Sequence, residues 1–359
     1  MGKVSTYFNA TLCLTVCILS IAASLSMAGC SASSTSSIGP TSNCTVATGA
    51  SNVPIPNNCV YFGAWANPTA GPSDPTDVNS YTTTLESQVG RTFVTHMHYY
   101  GWGTEGSTIA ASNPSFPDQA ETDDANAGRI PVITWACSDQ NSAVAAASPT
   151  VNVSAYNLIA ATALAVKTYA KPMFIRWNWE MNLTSGNKCM GTGTASQQHA
   201  NFIAAWQNIY NIFKAEGATN VSWLWNPGGA AADPDPAPFY PGNAYVDWIG
   251  FDGYDKISAH DFGGVFNPFY QEFANATYGN KPILIGETGE CQTLQQTYLD
   301  TAVAEIAGRS NSGNYNFPLV KGFMYFDSPG QYGACVWNFD SEGIAGYKAM
   351  GSDSYFAAP

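Results

Sequence analysis

Residues 172–182 read PMFIRWNWEMN and residues 221–227 read VSWLWNP; between them Phe202, Ile203, Trp206, Ile209, Tyr210 and Phe213 recur at helical spacing, closed by Gly217. Two aromatic and β-branched runs bounded by Pro and Asn, with an amphipathic helix between them, predict a β–α–β unit. Working outward, the same kind of run begins at Val60 (VYFGAWA), Thr92 (TFVTHMHYY), Arg129 (RIPVITWAC), Val246 (VDWIGFDGYD), Pro282 (PILIGETG) and Gly322 (GFMYFDS). Helical patterns lie between them, as in Leu158, Ala161, Ala165 and Tyr169, or Leu299, Val303 and Ile306. Eight strands alternating with helices predict a (β/α)8 barrel. The stretch from Pro227 to Tyr245 holds too many Pro and Gly for a long helix, so the fifth helix should be short. A doubly wound open sheet is the competing architecture. It would announce a Gly-rich phosphate loop after its first strand, and FGAWANP is not one.

The chain has 359 residues with a formal charge of −13, from 13 basic and 26 acidic side chains. That balance excludes nucleic acid as a partner, because phosphate binding needs a basic face. Charged residues are 11% and aromatic ones 13%, the opposite of a disordered chain. Only one long apolar run exists, which excludes a multispanning membrane protein. An acidic, aromatic-rich surface suits a neutral ring-shaped ligand.

That run, TLCLTVCILSIAASLSMA from Thr11 to Ala28, follows Lys3 and reads as an export signal. It ends in Met27-Ala28-Gly29-Cys30, which resembles a bacterial lipoprotein cleavage box with Cys30 as the lipidated residue. Ordinary signal cleavage and an uncleaved anchor are the other readings, and all three lie outside the cytosol. The expected division is a signal over residues 1–29, a low-complexity linker over 30–52 and a catalytic barrel over 53–359. Of nine cysteines, Cys13 and Cys17 belong to the signal and Cys30 to the lipid. The remaining six suggest disulfides, with fifteen connectivities open to three bridges.

In a barrel, chemistry sits where strands end, at the C-terminal face. The fourth strand ends in Arg176-Trp177-Asn178-Trp179-Glu180, and alternation would put Arg176, Asn178 and Glu180 on one face. The seventh ends in Glu287. Two carboxylates facing each other across the mouth are what glycoside cleavage needs, one as acid and one as nucleophile or base. Trp177 and Trp179 would provide apolar surroundings that keep Glu180 protonated. A salt-bridged strand terminus is the alternative for either glutamate alone.

WNWEMN, YPGNAYVDWIGFDGYD and KPILIGETGE resemble glycoside hydrolase family 26, the β-mannanase family of a retaining barrel clan, in register from about Tyr61 to Trp337. The resemblance implies Glu180 as acid/base, Glu287 as nucleophile and Tyr254 as a hydrogen-bond donor to the nucleophile. It implies a polysaccharide substrate of the β-mannan type, with β-1,3-xylan, mixed-linkage β-glucan and a microbial exopolysaccharide as alternatives. Two departures fall where substrate is read: Trp179 stands where the family has His, and EMNLTSG lacks the family's leaving-side Trp.

Other candidates for sugar contact are Trp337, Trp179, Asn178, Trp225, Trp102, and His96 and His98, which share one face of the second strand. The two histidines would also suit a metal, but no further cluster accompanies them, so neither metal nor cofactor is expected. Trp65 and Trp135 divide between packing and stacking, Asp252 and Asp327 are possible third acids, and Arg176 should hold a carboxylate inside the barrel. Loop neighbourhood in the barrel pairs Cys137 with Cys189 and Cys291 with Cys335, leaving Cys44–Cys59. The expected whole is a monomeric, extracytoplasmic β-glycanase that meets membrane only through Cys30. A non-catalytic glycan-binding surface lipoprotein is the alternative of another class.

Overall fold

The eight expected runs form eight parallel strands: β1 Tyr61–Ala66, β2 Thr95–Tyr100, β3 Ile130–Trp135, β4 Met173–Trp177, β5 Val221–Trp225, β6 Trp248–Tyr254, β7 Ile283–Gly289 and β8 Val320–Asp327. Each pairs with its sequence neighbours and β8 closes on β1, giving a closed barrel. The computed structural model describes residues 44–46, 52–69, 78–102, 116–137, 140–183, 189–229, 234–256, 261–309, 315–332 and 335–356. The expected signal, Cys30 and most of the expected linker lie outside the described residues. Thr45–Val46 pairs antiparallel with Pro56–Asn57, closed by the Cys44–Cys59 bridge.

Among the described residues eight helices surround the strands: α1 Val78–Val89, α2 Gln119–Ala127, α3 Asn141–Ala145, α4 Val153–Tyr169, α5 Ala195–Glu216, α6 Phe262–Phe273, α7 Gln295–Ile306 and α8 Ser341–Ser352. Helix α5 starts at a reciprocal capping box between Thr194 and Gln197 and ends at Gly217, whose φ of 80° supplies the left-handed cap. Between β5 and β6 the described residues form only single 3-10 turns, Ala237–Phe239 and Asn243–Tyr245. The Pro-rich sequence there cannot sustain an α-helix.

Both faces of the strands are buried, as a helix-covered parallel sheet requires. Tyr61, Trp65, Met97, Tyr99, Phe174, Trp248, Leu284, Met324 and Phe326 fill the barrel interior. Phe62, Tyr100, Trp135, Trp177, Trp225, Phe251, Phe323 and Tyr325 point outward to the helices. This alternation decides which strand residues reach the mouth. Cys137–Cys189 joins the loops after β3 and β4, and Cys291–Cys335 joins those after β7 and β8, as the barrel topology suggested.

Candidate active site

Strand β4 delivers Arg176 to the interior with no solvent exposure, and regular strand geometry stops at Trp177. Asn178 and Glu180 then take left-handed backbone, with φ of 49° and 53°. Such conformations are sparsely populated by side chains with a Cβ and persist where surrounding contacts impose them. Here the Asn178 N–H donates to the Trp135 carbonyl at 2.8 Å, and the Glu180 N–H to the Asn226 carbonyl at 2.8 Å. Strand alternation therefore does not carry past Trp177, and it is this turn, not a shared face with Arg176, that carries Glu180 to the tip of β5.

Glu287, at the end of β7, is 5% exposed and accepts from three side chains. Tyr99 donates to Oε1 at 2.6 Å, Tyr254 donates to Oε2 at 2.7 Å, and the Arg176 guanidinium also reaches Oε1. Arg176 holds both oxygens of Asp252 as well, at 2.8 and 3.1 Å, while its Nε donates to Thr134 Oγ1. Burial works against the cation, but Asp252 and Glu287 outweigh it and raise the Arg176 pKa above its ordinary value. Burial, then the Glu287 charge, raises both phenols, so Tyr99 and Tyr254 remain donors. Asp252 is pushed up by burial, partly countered by Arg176, and further by the charges of Glu287 and Glu180. One carboxylate oxygen from each of Glu180, Asp252 and Glu287 lies within 4.8 Å of the others. Glu180 and Glu287, from distant parts of the chain, thus come together, and the Arg176 guanidinium ties Glu287 to Asp252.

Aromatic rings line this centre. Trp337 stacks on Tyr254 at 4.2 Å between ring centroids, and Trp179 meets Tyr99 edge-on at 5.6 Å beside Arg176. Both tryptophans are half-buried. Asn178 is buried beside them with its Nδ2 unpartnered.

The outward face of the barrel claims the other candidates. His96 and His98 point away from the mouth to Asp124 of α2, at 2.8 and 2.6 Å, and His96 also meets Thr82. They share one face of β2, and it is the helix-facing outer one. The three groups are close enough to ligate an ion. However, Arg129 already binds Asp124 at 3.3 Å and Glu86 at 2.6 Å, so a cation is in place. Trp102 stacks on Trp135 at 4.7 Å, and Trp225 is enclosed by Tyr240 and Phe273, so both are packing residues. Trp177 packs on Phe202 of α5 and gives Glu180 no apolar cover. Trp65 lies inside the barrel, stacked on Phe326. Asp327 faces outward and accepts from the Phe339 N–H. Tyr99 escaped the sequence reading, although it alternates with the histidines that were noticed; only the phase of β2 was missing.

A closed parallel barrel with one glutamate at the tip of the fourth strand and another at the seventh defines a two-carboxylate barrel protein. A family model described as glycosyl hydrolase family 26 matches residues 118–293, which include both glutamates. Over that stretch the chain is similar to the family. A curated relative, Endoglucanase H of Acetivibrio thermocellus, is 31% identical over 168 residues, 45% of this chain; the chain spans 18% of that relative's length. Among solved structures, Bacillus subtilis mannanase man26 is 17% identical with a TM-score of 0.58, covering 83% of this chain and 86% of the other. A β-mannanase from a symbiotic protist of the termite Reticulitermes speratus, complexed with gluco-manno-oligosaccharide, is 16% identical with a TM-score of 0.55, covering 83% and 88%. At these identities the structures share the fold.

Proposed function

We propose that this protein is an extracytoplasmic, endo-acting β-glycanase that works by double displacement. Glu287 attacks the anomeric carbon while Glu180 protonates the departing glycosidic oxygen, leaving a glycosyl ester on Glu287. Glu180 then takes a proton from water, which attacks the ester and releases the sugar with its configuration retained. The observation that carries this reading is the approach of Glu180 and Glu287 to within 4.8 Å, with Tyr99, Tyr254 and Arg176 all donating to Glu287. Retaining pairs stand about 5 to 5.5 Å apart, and inverting pairs need roughly 6.5 to 9.5 Å to admit a water. Trp337, Trp179 and Asn178 serve as sugar contacts.

A β-mannan-type backbone is the first substrate, from the family resemblance. A β-glucan is the second, favoured by the relative named Endoglucanase H. Three disulfides support an oxidising compartment, and no helix among the described residues is long and apolar enough to cross a membrane. We assign residues 1–29 as the export signal, Cys30 as the lipid anchor, and the barrel as a monomer. The test is release of reducing ends from soluble mannans, mixed-linkage glucan and β-1,3-xylan, with the anomer of the first product read by NMR. Wild type should give the retained anomer on one polymer, and Glu287→Ala and Glu180→Gln almost no product. Substantial activity in Glu287→Ala, or an inverted product, overturns the mechanism.

A further inference from the structure

The acid/base reading of Glu180 leaves open what holds its carboxyl in place, and the tip of β5 supplies an answer. A Cβ built on Gly228 would lie 2.5 Å from Glu180 Cγ, 2.6 Å from its Oε1 and 2.8 Å from its Cδ. The backbone of Gly228 is not in the left-handed region, so the local conformation would accept any residue. The space reserved by this glycine is filled by the Glu180 side chain.

The Gly228 peptide is itself held on both sides. Asn182 Oδ1 accepts from the Gly228 N–H at 3.1 Å, and its Nδ2 donates to the Gly228 carbonyl and to the Pro234 carbonyl, each at 2.9 Å. The Asn182 side chain is 3% exposed, with both ends of its amide engaged. On the other flank, the Asp252 N–H donates to the Pro227 carbonyl at 3.1 Å and the Gly229 N–H to the Asp252 carbonyl at 3.0 Å. Residues 227–229 are thereby fixed between Asn182, two positions beyond the acid, and Asp252, which shares Arg176 with the nucleophile.

We infer that Asn182 is a positioning residue for the acid/base: its amide clamps the Gly228 peptide flat against the Glu180 carboxyl and so sets where the proton is delivered. This rests on the acid/base reading above. A positioned carboxyl matters most when the leaving group is poor, because proton donation then carries much of the barrier. A polysaccharide has such a leaving group, whereas a dinitrophenyl glycoside leaves without help.

The experiment compares kcat/KM on the active polysaccharide with kcat/KM on a 2,4-dinitrophenyl oligoglycoside of the same sugar. It is done for wild type, Gly228→Ala, Asn182→Ala, Asn182→Asp and Glu180→Ala. Gly228→Ala should fold normally, since the half-buried Glu180 can swing aside. Gly228→Ala and Asn182→Ala should lose 10- to 100-fold on the polysaccharide and less than 3-fold on the aryl substrate. Asn182→Asp, which keeps the acceptor but not the donors, should fall between wild type and Asn182→Ala. In Gly228→Ala the alkaline limb of the kcat/KM profile should also shift. Equal losses on both substrates, or no loss, overturn the inference. If Glu180→Ala discriminates between the substrates and the clamp variants do not, the clamp alone falls; if Glu180→Ala does not discriminate, the acid/base reading falls and takes the clamp with it. Should Asn182→Ala fail to fold, Asn182→Asp decides: a loss confined to the polysaccharide supports the clamp, and wild-type rates or equal losses on both substrates overturn it.

Discussion

Arg176→Met is the perturbation that examines the centre of this site most directly. The guanidinium is wholly buried and faces two carboxylates, Asp252 and Glu287. Methionine keeps most of the volume and removes the charge. Deleting one partner of a buried ion pair strands the other, at a cost of about 3–5 kcal/mol. For a barrel of this size about 2 °C is lost per kcal/mol, so Tm at neutral pH should fall by roughly 6–10 °C.

The pH dependence carries the sharper test. Asp252 is already raised by burial and by neighbouring charge, and Arg176 is the group that opposes the shift. Without Arg176 it rises further, so the folded state binds this proton more tightly than the unfolded chain does. The sign follows: the variant is best off below the unfolded value near 4, and loses stability as pH climbs through the raised folded value. Thermal unfolding of both proteins at pH 5 and pH 8 should show the gap wider at pH 8. Adding Asp252→Asn, which removes one stranded charge, should recover part of the loss at pH 8 and little at pH 5. A gap that is equal at both pH values, or larger at pH 5, would refute the charge argument and leave only lost packing. Activity in Arg176→Met should drop at least 100-fold, because Glu287, the proposed nucleophile, loses a donor and its neutralising cation.

His98→Gln should lower Tm by several degrees while leaving KM within twofold, since His98 holds Asp124 outside the barrel; an altered KM at unchanged Tm would return it to the cleft. Asp327, raised to about 6 chiefly by burial, stabilises the fold below its unfolded value and loses that contribution as pH rises through 6. Asp327→Asn should therefore flatten the decline of Tm between pH 4 and 7, by an amount on the order of 3 kcal/mol at most; an unchanged slope in a pH-scanned melt would contradict this. Cys137–Cys189 spans 52 residues and Cys44–Cys59 spans 15. Chain entropy assigns them about 4 and about 3 kcal/mol, so paired Ser substitutions in denaturant melts should cost more at the longer loop.

The barrel was legible because its evidence is repeated. Eight short β-rich runs separated by helical patterns agree with one another, and an error in any one strand leaves the count readable. Glu180 and Glu287 were legible for a related reason: strand ends are marked by a change in composition, and the barrel directs those ends to one face. What local sequence cannot encode is phase in a strand buried on both sides. In β2, Met97 and Tyr99 are as apolar as the helix-facing Tyr100, so no polar alternation says which set lines the interior. The histidines drew attention as polar residues, yet their partner Asp124 sits on α2, and the pairing exists only once that helix packs on the sheet.

Asn178 and Glu180 failed to follow Arg176 for another reason. Their left-handed backbone is imposed by bonds to Trp135 and Asn226 from two neighbouring strands, which nothing between residues 172 and 182 discloses. The same holds for Gly228, whose need to be glycine comes from a glutamate 48 positions away in the chain. The two candidate acids could thus be picked out from where the strands end. Those that orient them are defined by contacts across the barrel mouth, where the backbone departs from regular geometry. Replacing the orienting residues therefore tests the site more sharply than replacing the acids, because it separates the presence of a carboxyl from its placement.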